Sequence, residues 1–213
     1  LSGKYQLINA VTAWEAVHVP GLLKKEEIQN IPWGSNPARV DFGAMYAHRM
    51  NVLRQAFQRF TPDGAYETFV EQNQNWLEDY ALFTALKDTL GGKPWLEWPE
   101  ALRLRKADAL AEKRRELSDE IRLQYFVQYE FDRQWKALRS YANAKGVRII
   151  GDVPIYVPLD SADVWANPEL FQLDESRHPE QVAGCPPDSF TADGQLWGNP
   201  ISDWKKMAPT RYS

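Results

Sequence analysis

Residues 182 to 200, VAGCPPDSFTADGQLWGNP, crowd three prolines and three glycines among short polar side chains. Proline removes a backbone donor and fixes φ, so such a run can form neither a helix nor a central strand. It must be a shaped loop, and loops of this kind carry function when a rigid scaffold holds them. Adjacent Pro186 and Pro187 set an extended backbone that presents Asp188, Ser189 and Phe190 at a tip. Beyond the tip, Gln195 and Trp197 stand two apart, followed by Gly198, Asn199 and Pro200.

The scaffold is legible upstream as helices. Tyr46, Met50, Leu53, Phe57 and Phe60 recur at spacings of three and four and predict a helix ended by the Thr61-Pro62-Asp63-Gly64 turn. Phe69, Trp76, Tyr80, Phe83 and Leu86 predict a second, broken by Gly91-Gly92. Between Ala101 and Glu116 acids interleave with bases at helical spacing, which reads as a solvated helix with exposed ion pairs rather than a basic surface for phosphate. Leu123, Val127, Phe131, Trp135, Leu138 and Ala142 form one stripe, with Asp119 and Glu120 in the first turn and Gly146 at the end. Val147, Ile149, Ile150 and Val153 then predict a buried strand. Helix, buried strand and functional loop in that order make one step of a parallel barrel or doubly wound sheet.

Composition narrows the partners. The 213 residues can bury a sizeable core, and aromatics at 13% favour a packed globule over disorder. A formal charge of −4 argues against nucleic acid or an anionic membrane, and no apolar run approaches the length of a membrane span. Nothing at the start resembles a signal peptide. The single cysteine, Cys185, excludes an internal disulfide framework and makes a reducing cytoplasm the expected compartment. With no His or basic residue near it in sequence, Cys185 reads as an ordinary thiol rather than a nucleophile. His18, His48 and His178 lack ligand spacing, and Asp152, Asp160 and Asp163 lack the spacing of a calcium loop, so no metal is expected.

Taken with GDVPIYV at 151–157 and DSADVWANPELF at 160–171, the loop strongly resembles the 4-α-glucanotransferases called amylomaltases or disproportionating enzymes, glycoside hydrolase family 77. The likeness runs from about Arg39 to Trp204 and includes VDFGAMY at 40–46 and FVQYEFDRQWKALRSYANAKGVRIIGD at 126–152. Before Arg39 it is looser; GKYQLIN at 3–9 only approximates the family's Gly-Asn-Pro motif, and no role transfers to Leu1 through Asn36. The resemblance implies an α/β fold: a portion of a (β/α)8 TIM barrel with a mainly helical inserted subdomain. The implied layout is an opening segment of barrel and insertion loops at 1–43, the helical insertion at 44–116, and a barrel helix, strand and substrate-covering loop at 117–213.

The same resemblance assigns roles. Asp152 would contact sugar hydroxyls from the carboxyl end of a barrel strand, where it could otherwise be a turn-capping aspartate. Asp188, Ser189 and Phe190 would form a lid over the sugar subsites. This chain carries Ser189 where many relatives carry an aromatic, which bears on stacking at that subsite. Gln195, Trp197, Gly198 and Asn199 would contact acceptor-side sugars. A glucose ring has an apolar face and a polar rim, so an indole and an amide match its two parts while Gly198 lets backbone approach. Without the resemblance, Trp197 would more often be a core anchor. Asp160 and Ser161 read first as caps of a short helix at DSADVW.

The family works by a retaining double displacement between two carboxyl groups about 5 to 5.5 Å apart, which implies that no cofactor is needed. Its carboxylates come from motifs that follow the Trp-Gly-Asn-Pro region, beyond Ser213, so no catalytic residue is assigned here and the isolated chain is expected to be inactive. The expected activity of the parent is transfer of α-1,4-glucan segments between maltooligosaccharides. The competing expectations are a non-catalytic α-glucan-binding module and a helical interaction domain.

Overall fold

The computed structural model describes residues 22–33, 41–152 and 154–210. The GKYQLIN motif, Trp14, His18, Val40 and Val153 lie outside them. The helices are α1 (Lys25–Gln29), α2 (Phe42–Arg59), α3 (Gly64–Gln72), α4 (Gln74–Thr89), α5 (Glu100–Arg103), α6 (Ala107–Glu116), α7 (Ser118–Ala144), α8 (Ala162–Ala166) and α9 (Trp204–Met207). One antiparallel pair, β1 (Val182–Cys185) and β2 (Gln195–Pro200), is the sheet among the described residues. The chain divides into two compact units, residues 3–77 with 119–151, and residues 1–2, 78–118 and 152–213.

The first unit is helical. Asp41 starts α2 by accepting the Ala44 N–H at 2.9 Å, and Asp63 starts α3 by accepting the Tyr66 N–H at 2.8 Å. The α2 stripe behaves as its spacing predicts from Met50 onward: Leu53 is fully buried, and Met50, Phe57 and Phe60 pack against the same core. That core joins Leu22, Leu23 and Ile28 to Val52, Leu53 and Ala56 of α2 and to Leu123, Phe126 and Val127 of α7. Tyr66 meets Phe60 and Tyr129 edge-on at 5.2 and 5.4 Å, extending the core with aromatic contacts. Arg59 ties the ends of the packing together with two bonds to Glu27, at 2.6 and 2.8 Å, and one to the Leu22 carbonyl at 2.9 Å.

The stripe from Phe69 to Leu86 predicts one helix, and the structure has two. Asn73 interrupts it by donating its amide to the Phe69 carbonyl at 2.8 Å and accepting the Trp76 indole N–H at 3.0 Å. A short amide that competes locally for backbone partners ends α3 and restarts the chain as α4.

The long helix α7 buries only its first half. Leu123, Phe126 and Val127 are inside, whereas Trp135, Leu138 and Tyr141 lie exposed on the second half. It closes at Gly146, whose N–H donates to the Asn143 carbonyl while Val147 N–H reaches Ala142, both at 3.0 Å. The buried strand expected from Val147 is not formed: residues 147–152 carry no strand, and Ile150 is 94% exposed. A strand needs a neighbour for its N–H and C=O groups, and none of the described residues pairs with this segment.

The second unit is organised around tryptophan. Phe83 lies 5.3 Å from Trp98 and 5.8 Å from Trp165, and the two indoles are 5.7 Å apart. Each buried indole N–H finds a carbonyl: Trp95 donates to Leu159 at 2.6 Å, Trp98 to Lys93 at 3.1 Å and Trp165 to Leu102 at 3.0 Å. The charged run at 101–116 is split into α5 and α6 at Arg105, whose φ is 55°. Arg105 lies 4.3 Å over the Trp165 ring and bonds both Asp79 oxygens at 2.8 and 2.9 Å. It is therefore a packing residue rather than part of a solvated face, although Lys113 and Glu116 form the expected exposed ion pair at 2.5 Å.

Candidate functional site

The proline-rich run is a hairpin rather than an irregular loop, because its prolines stand at the ends of the strands and not within them. Pro186 and Pro187 fall just after β1, and Pro200 ends β2. Cys185 pairs with Gln195 and Gly184 with Leu196, but the next pair is Val182 with Pro200. Between those last two pairs β1 has one residue, Ala183, while β2 has three: Trp197, Gly198 and Asn199. These three bulge out of register. Gly198 has φ +77°, and no protein atom lies within 4 Å of where its Cβ would sit, so the backbone conformation by itself calls for glycine here. Close approach of protein to protein occurs at Gly184 and Gly194, where a Cβ would lie 2.4 Å from the Gln195 carbonyl oxygen and 2.6 Å from the Cys185 carbonyl oxygen.

The bulge re-aims its side chains. Trp197 is 48% exposed, its indole N–H donates to Gln195 Oε1 at 2.8 Å, and its ring centroid lies 5.9 Å from that of Tyr156 at a tilt of 55°. Asn199 donates its amide to the Val157 carbonyl at 2.9 Å, which ties the bulge to the strap of residues 154–160. The other end of that strap is clasped by the buried Trp95, which bonds Leu159 through its indole and donates its backbone N–H to Asp160 Oδ1 at 3.2 Å. Lys87 pairs with the second Asp160 oxygen. Asp160 thus holds the strap and does not cap α8; Ser161 does, accepting the Val164 N–H at 3.3 Å. The base of the hairpin is fixed by Gln172 N–H to the Ile201 carbonyl at 2.8 Å and by Asp203 N–H to the Leu170 carbonyl at 2.7 Å.

At the tip, Asp188 Oδ1 accepts the backbone N–H groups of Phe190 and Thr191, each at 2.8 Å. These bonds favour the charged form and hold the Asp188 carboxyl below its ordinary range. Its visible work is to shape the tip. Ser189 is exposed beside it, and Phe190 is 91% exposed, a large apolar ring offered to solvent. Asp152 is exposed at the start of the segment leading into the strap.

The structure thus joins Gln195, Trp197 and Asn199 into one arrangement and gives Asp188, Ser189 and Phe190 a common turn. Two participants were missed in sequence, Tyr156 and the bulge itself. A glycine inside an otherwise strand-like run, Gly198 in QLWGN, was the available signal for the bulge. Among the described residues, no group of three or more His, Cys, Asp or Glu side chains is placed to hold a metal ion, and no helix is long and apolar enough to cross a membrane.

Comparison with known proteins matches the chain to a family. A family model described as 4-alpha-glucanotransferase matches residues 5–213. The chain is 49% identical over 186 residues to a 4-alpha-glucanotransferase of Thermus thermophilus, covering 84% of this chain and 37% of that protein. It is 41% identical over 194 residues to one of Clostridium butyricum, covering 90% of this chain and 40% of that protein. Its structure superposes on an amylomaltase from Streptococcus agalactiae in complex with acarbose with a TM-score of 0.89 and 38% identity, over 96% of this chain and 42% of that one. The chain therefore spans well under half the length of these relatives.

Proposed function

The chain belongs to the 4-alpha-glucanotransferase family, and from that premise we propose that it carries the acceptor-side sugar site of an enzyme that transfers α-1,4-glucan segments between maltooligosaccharides. The observation that carries the reading is the half-exposed Trp197, fixed on a bulge with its N–H already bonded to Gln195. An indole whose polar edge is satisfied offers its face, and the face of an indole complements the apolar face of a glucose ring. The Gln195 amide N–H groups and the Asp152 carboxylate then supply hydrogen bonds to hydroxyls. Phe190, held by the Asp188 turn, acts as an apolar lid over the subsites and keeps water from competing with the acceptor sugar.

In this reading residues 147–152 are a barrel strand of the complete fold, which accounts for the bare apolar side chains of Val147, Ile149 and Ile150. Residues 44–116 supply much of the helical insertion, and 117–213 the barrel helix, strand and covering loop. The nucleophile and the acid/base carboxyls lie outside residues 1–213, and the retaining chemistry needs no cofactor, since carboxylates do the acid, base and nucleophile work. A reducing cytoplasm suits the lone Cys185.

The test is disproportionation by the intact protein that contains this chain. Maltotriose alone should yield glucose together with maltopentaose and longer products, resolved by anion-exchange chromatography. Maltotriose recovered unchanged, or hydrolysed only to glucose and maltose, rejects the transferase reading.

A further inference from the structure

Trp197 sits where the ladder gives no guidance, since the three residues of the bulge face one residue across the ribbon. Its aim must come from side chains. Gln195 takes the indole N–H, which fixes one edge of the ring but leaves it free to swing about that bond. The second constraint comes from the Tyr156 ring, 5.9 Å away and tilted by 55°, in the range where aromatic pairs attract. Tyr156 is itself well placed to resist. The next residue, Val157, accepts the Asn199 amide, and the strap beyond is clasped by Trp95 and Lys87 through Leu159 and Asp160. Being 37% exposed on a strap anchored elsewhere, the Tyr156 ring contributes little to the core.

We propose that Tyr156 is a positioning residue for acceptor recognition: its ring backs the Trp197 indole and sets the plane on which the acceptor sugar stacks. This rests on the transferase reading of the same site. The ring, not the hydroxyl, carries the effect. Fixing the stacking plane strengthens ground state and transition state alike, so its loss raises KM for the acceptor and leaves kcat nearly unchanged.

The experiment uses the intact protein with maltoheptaose as donor and glucose as the varied acceptor. Wild-type protein that transfers nothing to glucose rejects the transferase reading and, with it, this one. Given wild-type transfer, Tyr156→Ala should raise the glucose KM about three- to tenfold, and Tyr156→Phe should restore it. Tyr156→Leu repeats the comparison should the alanine variant fold poorly. An unchanged glucose KM in the leucine or alanine variant overturns the proposal while leaving the transferase reading intact. So does a Tyr156→Phe variant as impaired as Tyr156→Ala, which would move the role to the hydroxyl.

Discussion

The indole N–H of Trp197 donates to the side-chain oxygen of Gln195 two residues away, across 2.8 Å, so the polar edge of the exposed aromatic ring is spent inside the protein. Under the proposed function the pair acts as one recognition unit, an apolar face with two amide N–H donors beside it. Trp197→Ala should weaken maltotriose binding by about tenfold or more, the scale of a lost stacking surface. Gln195→Leu should weaken it less, through the freed indole and the lost donors, and Gln195→Glu should fall between Gln195→Leu and wild type because it keeps the acceptor oxygen. Isothermal titration with maltotriose ranks the four proteins. Equal affinity for Gln195→Leu and wild type would dissolve the unit.

Gly198 and Gly194 both hold positive φ but differ in surroundings. Gly198→Ala meets open space, so its cost is the backbone strain alone, about 1 to 2 kcal/mol. Gly194→Ala adds a collision with the Cys185 carbonyl and should be the more destabilising of the two. Urea unfolding midpoints of the two variants supply the comparison, and a Gly194→Ala protein as stable as Gly198→Ala would contradict the hairpin geometry.

Asp160 uses both oxygens, one on the Trp95 backbone N–H and one on Lys87. Asp160→Ala should cost about 1 to 2 kcal/mol, while Asp160→Asn, which keeps an oxygen for Trp95 and loses only a partly exposed ion pair, should cost under about 1 kcal/mol. The two thermal transitions distinguish the bonds. An identical loss in both variants would assign the whole effect to the Lys87 pair.

Glu27 receives two bonds from Arg59 and one from the Lys24 N–H, and these pull its carboxyl from 4.5 down to about 2. The Arg59 bonds are the larger cause. Because the folded chain holds the carboxylate more tightly than the unfolded one, the stabilisation is complete above the unfolded value and fades as pH falls from 4.5 toward 2. The stability difference between wild type and Glu27→Gln should therefore shrink across that window. It should also shrink with added salt, since the pair faces solvent. A difference that stays constant from neutral pH to acid would remove the pair from the acid transition.

The helices were legible because their apolar positions repeat with the period of the helix, and for α7 the first-turn acids Asp119 and Glu120 and the closing Gly146 mark the same ends. Asn73 escaped notice because a single amide in the middle of an aromatic stripe breaks the helix through its own hydrogen bonds, not through any loss of periodicity. Arg105 was misread as solvated for a related reason: its charge is visible in the sequence, whereas the Trp165 face beneath it and the Asp79 carboxylate beside it come from distant positions. At the candidate site, the prolines revealed that 182–200 could not be a central strand but concealed that its flanks pair with each other. Tyr156 had no local signal, since the Trp197 ring it meets is brought to it from forty-one positions downstream.

The bulge in β2 also separates two engineering problems. The contacts that hold Trp197 all lie outside the tip, in the Gln195 bond at the head of β2, the Tyr156 ring and the Asn199 tether to the strap. The tip from Pro186 to Gly194 hangs beyond Gln195, organised around the Asp188 turn. Tips of different length and chemistry could thus be exchanged on this ribbon as a cassette, altering what is covered without retuning the aromatic plane underneath.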